Sequence, residues 1–301
     1  MKFFDSSSGD AIADKRADYA EMLAQSGDMQ AAADLMLQAL ERAPGWTYGW
    51  FRLGEMQLEA GDAAGAAEAW RMALKLDPDD RLGAALKLDL AGQGGELASM
   101  PPAFVETLFD QYAQKFEDSL VGKLDYRAPD LLLDAVLAAS PGPFVRAIDL
   151  GCGTGLMGER LRPLCARLDG YDLSEGMLRE ARAKNIYDLL ERADIAHLRP
   201  KGEPADLVVA ADVYMYLGAL EAAFASAAGL LADGGLFAFS VERLDEPSGF
   251  RLRDTRRFAQ SQAYVRKVLE GARLRLVSLS RATIRRDRNA PVEGLIFVAA
   301  K

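Results

Sequence analysis

The sequence is short of the residues that most metal and nucleophile chemistry requires. Among its 301 residues are one histidine and two cysteines. Cys152 and Cys165 are too few for a disulfide framework and form no CxxC pair, so neither a stapled fold nor a zinc site is expected, and a reducing compartment fits. His197 stands alone in a polar stretch, residues 194–200, and no G-x-S-x-G elbow exists to place a Ser-His-Asp triad around it. It reads as a surface-loop histidine. No run approaches the roughly 18 to 20 apolar residues that a membrane helix needs, and the opening MKFFDSSSGD lacks the apolar core of a signal peptide. A soluble, cytoplasmic protein is therefore expected, without a membrane partner. Acids outnumber bases, 45 to 36, and a net charge of -9 argues against a dedicated nucleic-acid binder, which needs a broad positive field.

What is present is hydrophobic bulk, 50% of the residues, enough for one large domain or two smaller ones. The charge is uneven. Residues 1–100 hold 17 acids and 9 bases, residues 101–240 hold 21 and 13, and residues 241–301 hold 7 and 14. The last fifth of the chain is basic.

The front of the chain repeats. Sliding residues 13–46 onto 47–80, a shift of 34, aligns Gly27-Asp28 with Gly61-Asp62, Ala32 with Ala66, Met36 with Trp70, Ala39-Leu40 with Ala73-Leu74 and Pro44 with Pro78. The pattern resembles the tetratricopeptide repeat, more closely in Trp50, Leu53, Gly54 and Leu58 than in Arg16, Tyr19 and Ala20. The resemblance implies paired helices, with a capping helix over residues 81–91. Such arrays stack into a surface that recognises partner segments, so a protein partner or a brace for the next domain is expected. The sequence thus divides into a repeat domain (1–95), a linker and helical cover (96–145, with 92–102 as the link) and a third region (146–301).

From about residue 103 helices alternate with short apolar runs, which predicts a doubly wound, mostly parallel sheet. Strands are expected at 146–150, 167–171, 205–210, 235–240, 274–279 and 294–299. Helices are expected near 156–163, 175–185, 218–231 and 260–270. The first strand runs into Asp149-Leu-Gly-Cys-Gly-Thr-Gly155, a glycine turn that brings bare backbone against a ligand. Gly153-Thr-Gly-Leu-Met-Gly158 also satisfies G-x-G-x-x-G. A dinucleotide fingerprint, however, starts its glycines directly after the strand, whereas here Asp149 occupies the strand end.

The turn resembles motif I of class I S-adenosylmethionine-dependent methyltransferases, and the resemblance runs from about residue 105 to the end. It implies a seven-stranded Rossmann-like sheet with an antiparallel C-terminal hairpin, the two last strands meeting at a turn over 285–291. S-adenosylmethionine is the implied cofactor and S-adenosylhomocysteine the product. Asp149 would orient the cationic methionine end, a charge of the right sign for a sulfonium. Gly151, Cys152, Gly153 and Gly155 would pass close to the cofactor. Residues 170–177 resemble the end of strand two, so Asp172 would accept both ribose hydroxyls, with Leu173 and Met177 flanking the adenosine. Residues 192–195 resemble the turn after strand three, where Asp194 would receive the adenine amino group and Ile195 cover the ring. Residues 206–216 resemble motif IV, placing Ala211 under the cofactor and Asp212, Tyr214 and Tyr216 nearest the acceptor as catalytic candidates.

Ahead of the sheet, Phe109-Asp-Gln-Tyr112, Lys115-Phe116 and Tyr126-Arg127 resemble the helical cover of methyltransferases that act on small molecules. Tyr126 would close on the donor, and Tyr112, Phe116 and Arg127 would contact the acceptor. The alternative is a hydrophobic stripe that merely seats the helix. The segment 242–260, with Arg243, Arg251, Arg253, Arg256 and Arg257, is either a basic approach for an acidic acceptor, led by Arg256 and Arg257, or a solvated helix face. Small-molecule and protein acceptors both remain open. The competing reading is a protein that keeps the cofactor fold but is catalytically silent, working as an assembly factor through its repeats.

Overall fold

The computed structural model describes residues 7–95, 97–113, 116–117, 125–287 and 290–301. It divides into two compact units, one through Thr107 and one from Leu108 onward. No described helix is long and apolar enough to cross a membrane.

The first unit is all-helical: α1 (Ala11–Gln25), α2 (Met29–Arg42), α3 (Thr47–Glu59), α4 (Ala63–Leu76) and α5 (Ala84–Leu90), with α6 (Pro102–Tyr112) running into the second unit. Positions 34 apart do the same work. Gly27 and Gly61 turn the chain at φ of 90° and 89°, and Asp28 and Asp62 accept the free backbone N–H groups that open α2 and α4. Ala32 and Ala66, and Met36 and Trp70, are buried at equivalent points. Gly54 lets α3 approach α4: a Cβ there would lie 2.4 Å from Trp70 Nε1. The expected capping helix is only α5, seven residues long.

The second unit follows α7 (Ala128–Ala139) with β1 (Phe144–Leu150), α8 (Leu156–Leu161), β2 (Cys165–Asp172), α9 (Glu175–Ala183), β3 (Leu189–Arg192), β4 (Ala205–Ala210), α10 (Glu221–Leu230), β5 (Leu231–Leu244), β6 (Phe250–Leu252), β7 (Phe258–Ser261), α11 (Gln262–Gly271), β8 (Arg275–Asp287) and β9 (Ala290–Ala300). Strands β3, β2, β1, β4 and β5 pair in parallel in that order, and β9 pairs antiparallel with both β5 and β8. This is a Rossmann-like, mostly parallel sheet with antiparallel C-terminal strands. Its two faces are built by alternation. Ile148, Val208, Phe237, Phe239 and Phe297 pack under α10 and α11, whereas Ala147, Leu207, Val209, Ala238 and Ile296 pack under α7 and α8.

Three expectations are corrected. Among the described residues the sheet has nine strands rather than seven, because β5 runs on and its end, Glu242–Leu244, pairs with β7, which pairs in turn with β6. The segment 242–260 is accordingly the end of β5 followed by the β6–β7 hairpin, and not a helix face. The final turn is shorter than expected: β8 continues to Asp287, which pairs with Ala290, so Arg285 lies inside a strand. Positions 288 and 289, and Lys115 of the expected cover, lie outside the described residues.

Candidate functional site

Parallel strands deliver their carboxyl ends to one edge of the sheet, and at that edge the chain places its acids. Asp149 lies one residue before the end of β1, Asp172 ends β2 and Asp212 follows β4. Between Asp149 and Asp172 runs the glycine turn, with Gly151, Gly153 and Gly155 all at positive φ (65°, 54° and 97°). A Cβ on Gly151 would lie 2.6 Å from the Val213 side chain, so that position is doubly restricted to glycine. The Cys152 N–H donates to the Tyr171 carbonyl at 3.0 Å, stitching the turn to β2. Burial pushes the Cys152 thiol up, so it packs as an apolar residue and is no nucleophile.

Asp172 closes the turn. Its Oδ2 accepts from the Gly153 N–H at 2.9 Å and its Oδ1 from the Ser174 N–H at 2.8 Å. Burial raises its carboxyl to about 6 against those hydrogen bonds. Asp149 is more deeply enclosed, 1% exposed. Its Oδ2 accepts from Tyr187 Oη at 2.7 Å, whereas its Oδ1 is buried with no partner. Burial pushes its carboxyl up to about 7, the Tyr187 hydrogen bond opposes that rise, and the Asp172 charge adds to it.

An unpaired buried carboxylate oxygen is costly unless a cation or donor meets it. The edge therefore offers one place for a cation, at Asp149, and beside it a second carboxylate with lone pairs to spare for a pair of hydroxyls. These are the demands of a donor that joins an aminoalkyl cation to a ribose, and the residues fit such a group. The arrangement also fixes a pH dependence. An ordinary aspartate ionises near 4 in the unfolded chain, so the contribution of Asp149 to the stability of the ligand-free fold falls as pH rises from about 4 to about 7 and does not recover above. Asp149→Asn should raise the melting temperature at pH 8 by several degrees, up to the equivalent of about 4 kcal/mol. The gain should shrink towards pH 5, as thermal scans across pH would check.

A helical cover is fastened to this edge by residues that sequence reasoning missed. Asp110, in the part of α6 that belongs to the second unit, accepts from Ser174 Oγ at 2.5 Å and the Gly176 N–H at 2.9 Å. Glu117 accepts from Thr154 Oγ1 at 2.6 Å and pairs with Lys184 at 2.7 Å. Phe116 lies 3.9 Å from where a Gly153 Cβ would stand. Phe109 meets both Phe116 and Tyr216 edge-on, with ring centroids 6.0 and 5.2 Å apart. Tyr126 Oη donates to the Ala211 carbonyl at 3.4 Å. Burial raises that phenol, as do Asp212 and Asp149, while Arg285 works against it. Acidic cap positions such as Asp110 and Glu117 carry no periodicity that would reveal them.

The remaining candidates separate. Met177 is buried, and Leu173, Ile195 and Ala211 are half-buried. Asp194 is turned onto its own loop, accepting from the Ala196 N–H at 2.9 Å and meeting His197 Nδ1 at 2.9 Å, and His197 is exposed as expected. Tyr112, Arg127 and Arg256 are exposed and Arg257 half-buried, 3.7 Å from Asp287. Arg253, Arg256 and Arg257 share the β6–β7 turn.

Two catalytic candidates are engaged inside the fold. Tyr214 faces away from the edge into an aromatic core with Phe224, Phe237 and Phe239, and its hydroxyl, raised by burial, has no partner. Asp212 is bound in a buried ion pair with Arg285, which also holds Glu242. Tyr216 stays half-buried at the edge, but burial raises its phenol, making it a donor and a poor base. Among the described residues no cluster of three or more His, Cys, Asp or Glu could hold a metal.

Residues 148–237 match the protein-family model described as "Methyltransferase domain". The chain is 38% identical over 121 residues to a malonyl-[acyl-carrier protein] O-methyltransferase of Geobacter sulfurreducens, covering 38% of this chain and 45% of that protein. It is 40% identical over 124 residues to a trans-aconitate 2-methyltransferase of Methylobacterium nodulans, covering 40% and 46%. The chain thus spans just under half the length of these curated relatives. Among solved structures, the fold is similar to Burkholderia thailandensis 1,6-didemethyltoxoflavin-N1-methyltransferase, which holds 1,6-didemethyltoxoflavin and S-adenosylhomocysteine. The TM-score is 0.54 at 19% identity, covering 66% of this chain and 88% of that one.

Proposed function

We propose that the protein, which carries a methyltransferase domain at 148–237, transfers the methyl group of S-adenosylmethionine to an acceptor that bears a carboxylate, releasing S-adenosylhomocysteine. One observation carries the reading above the others: two buried acids at adjacent strand ends, Asp149 with an unpaired oxygen and Asp172 tied to Gly153, flank a glycine turn. In this reading Asp149 meets the donor's ammonium end and Asp172 its ribose. Gly151, Cys152, Gly153 and Gly155 supply close backbone. Leu173, Met177 and Ile195 flank the adenosine, Asp194 turns from His197 to meet the adenine amino group, and Tyr126 and Ala211 border the sulfonium end.

Bound there, the cofactor supplies a methyl group already activated as a sulfonium, so alignment is the protein's chief contribution. The chain's own residues orient the acceptor and keep water out. With Tyr214 in the core and Asp212 paired to Arg285, no base stands ready among the described residues, and an acceptor already anionic at neutral pH needs none. The names of the two relatives, acting on malonyl-[acyl-carrier protein] and trans-aconitate, point to the same chemistry. Arg127, Arg256 and Arg257 would draw the acid in, and Tyr112, Phe116 and Tyr216 would line its approach. The paired helices of the first unit are read as tetratricopeptide repeats that engage a protein, and the cytoplasm as the site of action.

The test is transfer itself. Incubating the protein with methyl-labelled donor and a cell lysate should place label in base-labile methyl esters, and Arg256→Ala with Arg257→Ala should raise the acceptor KM about tenfold with kcat little changed. Label appearing only in base-stable products would overturn the carboxylate acceptor. No transfer to any acceptor, despite donor binding, would leave the protein a silent binder.

A further inference from the structure

We infer that Tyr187 is a positioning residue for Asp149, fixing the carboxylate so that Oδ1 alone faces the cationic end of the donor; the inference rests on the methyltransferase reading above. Tyr187 stands in the loop between α9 and β3, two residues before the strand begins. Its ring occupies a slot that three glycines on three different elements leave open. A Cβ on Gly158 of α8 would lie 2.2 Å from Tyr187 Oη, one on Gly170 of β2 would lie 2.9 Å from the ring, and one on Gly155 of the turn 3.2 Å from it. Any side chain at Gly158 or Gly170 would expel the ring. Gly158 and Gly170 therefore serve the tyrosine as much as any ligand.

The hydroxyl that emerges from this slot donates to Asp149 Oδ2 at 2.7 Å. That contact selects one carboxylate orientation and leaves Oδ1 as the sole free acceptor, buried and unpaired. The groups that face Asp149 are Tyr187 from the α9–β3 loop, Asp172 from the end of β2, Cys152 from the turn and Tyr126 from the segment before α7. Of these only Tyr187 gives it a hydrogen bond, and only Tyr187 favours its charge. Burial and the neighbouring acids hold the phenol well above its ordinary range, so it remains a donor throughout the working pH range. Without it, burial and the Asp172 charge would act on Asp149 unopposed.

Tyr187→Phe keeps the ring in its slot and removes only the hydroxyl. In the ligand-free protein, the 13C carboxyl resonance of Asp149 should then titrate about one pH unit or more higher than in the wild type. Calorimetry should show S-adenosylmethionine and S-adenosylhomocysteine binding about tenfold more weakly at pH 7, with most of the loss recovered by pH 9. In an Asp149→Asn background the same change should cost nothing further. An unchanged midpoint, or equal affinity at pH 7, would overturn the role of Tyr187 while leaving the donor reading intact. Failure of the wild type to bind either ligand at any pH would overturn the donor reading itself.

Discussion

Asp172→Ala should weaken binding of S-adenosylhomocysteine by ten- to a hundredfold while the protein still melts as a folded domain. The size follows from the chemistry of the site. A hydrogen bond to a charged partner contributes about 1.5 to 3 kcal/mol, and a carboxylate facing a vicinal diol can make two. Asp172 also does internal work, since it accepts from the Gly153 and Ser174 N–H groups. Its removal therefore loosens the glycine turn as well as losing the ligand contact. Asp172→Asn, which retains one acceptor oxygen, should fall between the two proteins. Isothermal calorimetry reads both effects, and an affinity within threefold of the wild type would remove Asp172 from the site.

The second large effect is on stability. Arg285→Met should lower the melting temperature of the sheet unit by about 10 °C, because the guanidinium is 1% exposed and holds two carboxylates, Asp212 at 7% and Glu242 at 3%. Burial disfavours its charge, but the two acids more than offset that and keep it firmly protonated. Removing one member of such a group leaves uncompensated charge inside, which costs about 3 to 5 kcal/mol, and each kcal/mol shifts a domain of this size by roughly 2 to 4 °C. Neutralising the acids in the same protein, Arg285→Met with Asp212→Asn and Glu242→Gln, should recover much of the loss. Thermal melting that leaves the single variant within about 2 °C of the wild type would contradict this account of the cluster.

Much of the second unit was legible because its strands bury both faces. Continuous apolar runs such as 207–210 and 294–299 mark strands between helices, and the acid-then-glycine order at 149–155 separates this turn from a dinucleotide fingerprint. Strands β3, β6 and β7 carry too few residues to show an alternation: β6 has three, and β3 and β7 four each. Asp212, Tyr214 and Tyr216 looked equivalent as neighbours in the chain. A short 3-10 turn at Tyr214–Tyr216 sends Tyr214 to the core and leaves Tyr216 half-exposed, which no spacing rule reveals. Arg285 was hidden differently. The sequence places it in a turn, and its partners lie 73 and 43 residues away.

The charge pattern also gains a structural meaning. The basic last fifth is not a uniform field, because Arg285 is consumed by two buried acids, and Arg243, Arg251 and Arg257 have acidic partners of their own. Arg256, exposed at positive φ in the β6–β7 turn, is the more available cation for an incoming acid.

The central claim is that the sheet edge at Asp149 and Asp172 binds a sulfonium nucleoside. Calorimetric titration of the full chain at pH 7.5 with S-adenosylmethionine, S-adenosylhomocysteine and NAD tests it most directly. Micromolar binding of the first two, with none of NAD, is the predicted result. Binding of NAD, or of neither S-adenosyl compound, would contradict the account.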